Sequence, residues 1–292
     1  MNKIVSIVLP TYNGKDFLKK SIDSCLNQTY QNIELIIVND CSIDSTEEII
    51  LSYTDSRIKY IKNETNLKLP KSLNIGFQNA SGDYLTWTSD DNYFDENAIA
   101  KMVLALEELK VDLVCAPYFT IDNNEVVTGE RTVGKQSDVL IENVVKACFL
   151  YKKEVHQKLN GYDPSLFLVE DYDFWIRASF ENFKFHQLNE KLYYYRFHDN
   201  SLTVTRRNDI SNALYHLLQA HEALFREKNK KEFLKAELYL KLANLASLNS
   251  ENALKYFKKA LLKKTILVFD KVSLKIILRS LRVKRHFGFN IN

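Results

Sequence analysis

Four short apolar runs rich in β-branched residues, Ile4–Leu9, Ile33–Val38, Ile58–Ile61 and Gly82–Thr86, alternate with segments of helical spacing, and this rhythm constrains the fold more than any other feature of the chain. Runs of this length bounded by turn residues read as buried strands. Between them lie helical patterns over Phe17–Leu26 and around Leu73–Asn79. A third starts at Asp44, where Glu47 three residues on suggests a capping box, and continues through Ile50. Strand and helix in alternation predict an α/β domain with a parallel or mostly parallel sheet covered by helices on both faces. In such sheets ligands bind outside the carboxyl ends of the strands. Three of those ends carry polar clusters, Thr11-Tyr12-Asn13, Asn39-Asp40 and Ser89-Asp90-Asp91, which are therefore expected to converge.

The pattern changes near Thr205–Asn208. Long helical periodicity then runs without a glycine until Gly288, which predicts a domain boundary and an all-helical C-terminal extension over residues 206–292. The charge changes too: residues 206–292 hold 19 Lys and Arg against 7 Asp and Glu, where the preceding part holds 21 against 30. Tyr239, Leu242 and Leu245, followed by Ala253, Tyr256, Phe257, Ala260 and Leu261, have the spacing of one tetratricopeptide-type helix pair. Further on, Ile266, Phe269, Val272 and Ile276 set an apolar stripe against a basic one of Lys271, Lys275, Arg279 and Arg282. Such a segment suits peripheral contact with an anionic membrane or a partner enzyme, and equally a solvated lysine-rich face. The tail also offers a surface for a homodimer. No nucleic-acid-binding motif accompanies the basic residues, so nucleic acid is not an expected partner.

At 46% hydrophobic and 26% charged, the chain has the profile of a soluble globular protein of one large or two smaller domains. The run Ile4–Leu9 stops at Pro10, too soon for a signal-peptide core or a membrane span. The cysteines Cys25, Cys41, Cys115 and Cys148 are scattered, with neither a C-x-x-C pair nor zinc spacing, and read as reduced thiols of a cytoplasmic protein. Gly14 stands alone after the first strand, with no glycine-rich phosphate loop, which speaks against a nucleotidyltransferase or a P-loop enzyme.

The strongest local chemical signal is T-S-D-D-N at 88–92, since adjacent carboxylates between a buried strand and a helix are costly unless a cation lies beside them. Magnesium or manganese takes one or two protein carboxylates and completes its shell with diphosphate oxygens and water. On a strand end Asp90 and Asp91 point to different sides, so Asp91 faces the metal while Asp90 faces a ribose or base. Taken alone, Asp90 as a helix cap and Asp91 as a solvated carboxylate account for the pair as well. A second acidic cluster, F-L-V-E-D-Y-D-F-W-I-R at 167–177, precedes an apolar helical pattern, and acidic residues also suit a helix start on electrostatic grounds alone.

Several motifs in order settle the context: V-S-I-V-L-P-T-Y-N-G at 5–14, L-x-Q-T-Y at 26–30, E-L-I-I-V-N-D-C-S-x-D-S-T at 34–46, L-N-x-G at 73–76 and A-S-G-D-Y-L at 80–85. Together they resemble the family 2 glycosyltransferases of the GT-A fold, over about residues 3–205. The resemblance implies a mostly parallel, Rossmann-like sheet, with residues 1–110 binding a nucleotide sugar and 111–205 an acceptor. It implies that Pro10, Thr11 and Tyr12 line the nucleotide pocket, that Asp40 accepts a hydrogen bond from the base imino group, and that Asp171 is the general base. Glu170 is the nearest competitor for that role, Asp173 points away or caps the helix, Arg177 either pairs with a carboxylate or faces solvent, and Trp175 either stacks on a sugar or, the favoured reading, belongs to the core. His198, after Y-Y-Y-R-F, approaches the metal or the diphosphate. The sequence departs from the family pattern at Asn39, where an aspartate is usual, and at Leu67, where a glycine is usual; near that altered loop Lys68 and the nucleotide-binding candidate Lys71 would meet phosphate or base.

What the resemblance implies is an inverting transfer of a sugar from a nucleotide diphosphate, with a uridine diphosphate sugar favoured, to a hydroxyl of a glycan, lipid-linked or protein acceptor. The implied setting is the cytoplasm, or the inner face of the cell membrane, in polysaccharide or glycan assembly, with Mn2+ or Mg2+ as cofactor. The rival expectation is a non-catalytic nucleotide-sugar-binding scaffold that acts through its helical tail.

Overall fold

The computed structural model describes residues 3–228, 236–246 and 250–263, so the stripe over 266–282 lies outside the described residues. The chain divides into two compact units, one of residues 1–139 and 143–205, the other of residues 140–142 and the segment from Arg206 onward.

The first unit opens with β1 (Val5–Thr11), α1 (Leu18–Leu26), β2 (Ile33–Asn39), α2 (Thr46–Leu51), β3 (Ile58–Lys62), α3 (Leu69–Gln78) and β4 (Tyr84–Trp87). It continues through β5 (Tyr93–Phe94), α4 (Ala98–Leu109), β6 (Leu113–Cys115), β7 (Tyr118–Ile121), β8 (Val127–Arg131), β9 (Phe149–Lys152), α5 (Lys153–Leu159), α6 (Glu170–Phe180), β10 (Phe185–Gln187), β11 (Tyr193–Arg196) and α7 (Leu202–Thr205). Among the described residues the main sheet has the order β10-β6-β9-β4-β1-β2-β3, and β9 alone runs antiparallel to its neighbours. A smaller sheet has the order β5-β11-β7-β8. The predicted α/β sheet is therefore present, and every residue of β1 and β2 is buried, as both-face coverage of a parallel sheet requires.

Pro10 sits near the end of the central strand without a lost ladder bond, because β4 pairs with β1 only from Val5 to Val8. Glu34 is the exception in the apolar interior of β2, at 7% exposed. Its carboxylate accepts hydrogen bonds from Ser6 Oγ (2.5 Å), Ser81 N (2.6 Å) and Ser81 Oγ (2.9 Å), and pairs with Lys59 Nζ at 2.5 Å. Burial opposes its ionisation, but Lys59, Ser6 and Ser81 outweigh that and hold the group at about 2.

Two helix starts differ from the sequence expectation. The helix expected around Leu73 begins at Leu69, because Pro70 falls in its first turn, where no backbone donor is needed. The Asp44–Glu47 capping box does not form: Asp44 Oδ1 accepts from Thr46 N (3.1 Å) and Thr46 Oγ1 (2.5 Å), while Glu47 takes Tyr60 OH (2.8 Å) and Lys62 Nζ (2.5 Å).

The second unit contains α8 (Arg207–Glu227), α9 (Ala236–Leu245) and α10 (Ser250–Lys263). In α9 and α10, Tyr239, Leu242, Ala253, Tyr256, Phe257 and Ala260 are buried, with Leu245 and Leu261 half-buried, so the residues picked out by the helix-pair spacing form the packed faces. Glu222 of α8 anchors them by accepting from Tyr239 OH and Lys259 Nζ, each at 3.2 Å. No helix among the described residues is long and apolar enough to cross a membrane.

Candidate active site

The turns after β1, β2 and β4 meet. Asp40 N donates to Thr11 O (2.8 Å), Asn13 N to Ser42 Oγ (3.0 Å), Ile43 N to Asn13 Oδ1 (2.9 Å), and Thr11 Oγ1 to Asp90 Oδ2 (2.6 Å). Asn13 and Cys41 take left-handed backbone at φ 56 and 65, a conformation that lets each turn reverse sharply. Gly14 is forced by its neighbours: a Cβ there would stand 2.2 Å from Asp90 Oδ2 and 2.6 Å from Thr11 Oγ1. It is a site residue that the sequence shows only as the last letter of T-Y-N-G.

Tyr12 is 49% exposed, while Pro10 and Thr11, which precede it in the chain, are buried. Asp40 is buried, and its carboxylate already accepts from Leu67 N (2.8 Å), Asn63 Nδ2 (2.8 Å) and Lys68 N (2.9 Å). It therefore fixes the 63–68 loop and retains acceptor capacity for one further donor. Asn39 explains its departure from an aspartate: its amide nitrogen donates to Tyr60 OH at 3.2 Å while its oxygen accepts from Ser42 N at 2.9 Å, a pairing a carboxylate cannot make. The position that demands a glycine is Lys68 rather than Leu67, with φ 71 and ψ 163. That region is almost exclusive to glycine. Lys71 lies exposed in the first turn of α3.

Asp90 and Asp91 divide their contacts as expected of adjacent residues at a strand end. Asp90 turns back to Thr11, and burial together with the neighbouring Asp91 charge pushes its carboxyl up to about 7. Asp91 Oδ2 lies 3.0 Å from His198 Nε2, and its Oδ1 is buried without a hydrogen-bond partner. The bond to Asp91 raises the His198 pKa above the ordinary imidazole value. An orphaned carboxylate oxygen beside an imidazole is a donor set that fits a divalent cation. Among the described residues no third His, Cys, Asp or Glu completes a metal cage with this pair.

The second acidic cluster lies at the N-terminus of α6. Asp171 Oδ2 accepts from Asn143 Nδ2 (2.7 Å) and Oδ1 from Tyr172 N (2.6 Å). Burial raises its pKa above the ordinary aspartate value, against these two hydrogen bonds, which favour the ionised form. Glu170 is 4% exposed with Oε2 unpartnered, and burial and the Asp171 charge push its carboxyl up to about 8. Of the two adjacent carboxyls, Asp171 is the one whose hydrogen bonds from Asn143 and Tyr172 favour its ionised form against burial, while burial and the Asp171 charge favour the neutral form of Glu170. Asp173 is turned inward to Arg177 Nε at 2.6 Å, and the guanidinium also donates to Leu159 O (2.8 Å) and Gly161 O (3.0 Å). Arg177 therefore pairs with a carboxylate and ties α6 to the end of α5. Trp175 is fully buried, edge-on to Phe149 at 4.8 Å. Tyr195, whose pKa is raised chiefly by burial, also feels both the Asp91 and the Asp171 charge. Asn143, in a stretch without a motif, is the contact to Asp171 that no sequence signal reveals.

With this geometry in hand, comparison with known proteins gives consistent results. A sequence profile described as Glycosyl transferase family 2 matches residues 6–174. An uncharacterized glycosyltransferase of Rickettsia typhi is 35% identical over 222 residues, 71% of this chain and 68% of its own length. For five rickettsial relatives, the aligned stretch covers between 27% and 68% of their lengths. The Escherichia coli enzyme WfaP, named as a UDP-Glc:alpha-D-GlcNAc-diphosphoundecaprenol beta-1,3-glucosyltransferase, is 29% identical over 76% of this chain and 90% of its own. Among solved structures, Staphylococcus aureus TarS residues 1–349 superpose with a TM-score of 0.67 at 17% identity, over 99% of this chain and 93% of that one. The Pyrobaculum calidifontis mannosyltransferase PcManGT, solved with GDP-Man and Mn2+, gives 0.62 at 14% identity over 98% and 88%. At such identities the structural likeness shows the GT-A fold alone.

Proposed function

The chain belongs to glycosyl transferase family 2, and from that premise we propose that it moves a sugar from a nucleotide diphosphate, a uridine diphosphate sugar first, to an acceptor hydroxyl with inversion. The observation that carries this reading is the presence of two carboxylate centres in one unit: Asp91 with an unpartnered oxygen beside His198, and Asp171 hydrogen-bonded by Asn143 at 2.7 Å.

In this account the exposed Tyr12 ring stacks on the base, Asp40 accepts a hydrogen bond from the base imino group with its remaining acceptor capacity, Pro10 and Thr11 form the floor, and Lys71 reaches the phosphates. Asp90, held by Thr11, faces the ribose. Asp91 and His198 would hold Mn2+ or Mg2+, which supplies positive charge to the departing diphosphate. Asp171 accepts the proton of the acceptor hydroxyl as that oxygen attacks the anomeric carbon from the face opposite the diphosphate. The C–O bond to the diphosphate breaks as the new one forms, so inversion follows and no sugar–enzyme intermediate is required. Support for uridine comes from the TarS complexes with UDP and UDP-GlcNAc and from the name of WfaP, and the latter also supports a lipid-linked acceptor in glycan assembly.

The test is release of uridine diphosphate from UDP-sugars with Mn2+, with and without undecaprenyl-diphosphate sugars as acceptors. Acceptor-stimulated release that Asp171→Asn abolishes supports the reading. No release from any uridine, guanosine or thymidine donor contradicts it and favours a binding scaffold.

A further inference from the structure

Arg196, the last residue of β11, is 1% exposed, a burial that a guanidinium tolerates only when its donors are matched. Nε donates to Asp91 O at 3.0 Å, Nη1 to Asp122 O at 2.8 Å, and Nη2 lies 3.5 Å from Glu125 Oε1. Its backbone nitrogen donates to Asn92 Oδ1 at 2.7 Å. The guanidinium stands 4.3 Å over the Phe17 ring, and the other side of the chain's path returns to the same ring, since His198 lies 5.4 Å from Phe17. Glu125 is itself held from α1 by Lys20 Nζ at 3.0 Å.

One buried cation therefore grips the carbonyl of Asp91, the next residue's side chain through its own backbone, and the ring on which His198 rests. We propose that Arg196 is a positioning residue that sets the separation and orientation of the Asp91–His198 pair, and through it the affinity for the divalent cation. This rests on the reading of that pair as the cation site. The guanidinium fork reaches three acceptors in different directions, which a lysine ammonium on a flexible stem does not reproduce. Residues that orient metal ligands typically set affinity by about 10–100-fold. A residue that merely holds the fold together lowers stability and leaves the cation affinity of the folded fraction unchanged.

The experiment titrates Mn2+ against full-length protein at fixed uridine diphosphate and reads the Mn2+ concentration for half-maximal nucleotide binding, with thermal melting in parallel. Arg196→Lys is expected to raise that concentration about tenfold or more and to leave metal-free nucleotide binding as in wild type. A folded Arg196→Lys with the wild-type Mn2+ requirement overturns the proposal. Should Arg196→Lys not fold, Glu125→Ala and Phe17→Leu, each removing one contact of the guanidinium, decide: a shift of about threefold or more in either supports the proposal, and none in both overturns it. Asp91→Ala is the control. If it keeps the Mn2+ dependence, the cation-site reading fails and the proposal falls with it, whereas loss in Asp91→Ala with no shift in the Arg196 variant fails the proposal alone.

Discussion

At the scale of single residues, the two carboxyls at the start of α6 make opposite predictions despite being neighbours. Asp171 accepts two hydrogen bonds, and as the proposed base it must be ionised to act. Asp171→Asn is expected to lower kcat by about 10²–10⁴-fold with melting temperature preserved. Burial and the Asp171 charge favour the neutral form of Glu170, which a glutamine mimics, so Glu170→Gln should keep kcat within about threefold, and a loss as large as that of Asp171→Asn would reassign the base. Because burial raises Asp171, kcat/KM should climb with pH through a midpoint above the ordinary aspartate value of about 3.9. Lys68 gives a test of a different kind. Its φ of 71 with ψ 163 is strained for any residue with a Cβ, so Lys68→Gly should raise unfolding free energy by about 1 kcal/mol in denaturant titrations. An unchanged or lower value would mean that the loop relaxes without strain.

Whole elements are set by the pattern of apolar runs, which is why the strands of the main sheet and the helices between them were legible in the sequence. Buried β1 and β2 read as unbroken apolar stretches, and their polar ends marked the cleft. What stayed hidden depended on contacts between distant segments. Asn143 reaches Asp171 from a stretch with no periodicity, and Arg196 reads as one more charged residue at a strand end until its three acceptors are seen. The site of strain fell one residue from the expected loop position because sequence marks a missing glycine, not the backbone angle that needs it. Glu34 shows the same limit, as it looks like an error in an apolar strand, yet it joins β2, β3 and the turn before β4. Its folded-state value of about 2 lies below the ordinary glutamate value, so its contribution is complete above that ordinary value and is lost as pH falls toward 2. Glu34→Gln should cost about 2 kcal/mol at pH 7, and the gap to wild type should narrow between pH 4 and 2 in urea titrations.

For the molecule as a whole, the two compact units carry different chemistry. The first holds all of the proposed site residues, and the second, from Arg206 onward helical over most of its described residues, belongs to the basic part of the chain. The spacing of α9 and α10 gave their packed faces without revealing the Glu222 anchor. If the basic segment meets an anionic membrane, full-length protein should sediment with phosphatidylglycerol-containing vesicles while a chain ending at Thr205 stays in the supernatant. Equal recovery of both in the supernatant removes that role.

The central claim is a nucleotide site completed by a divalent cation at Asp91. Calorimetric titration of uridine diphosphate with and without Mn2+, into wild type and Asp91→Ala, tests it most directly. Tight binding only when both Mn2+ and Asp91 are present is the predicted result; nucleotide binding that ignores both, or no binding of any nucleoside diphosphate, would contradict it.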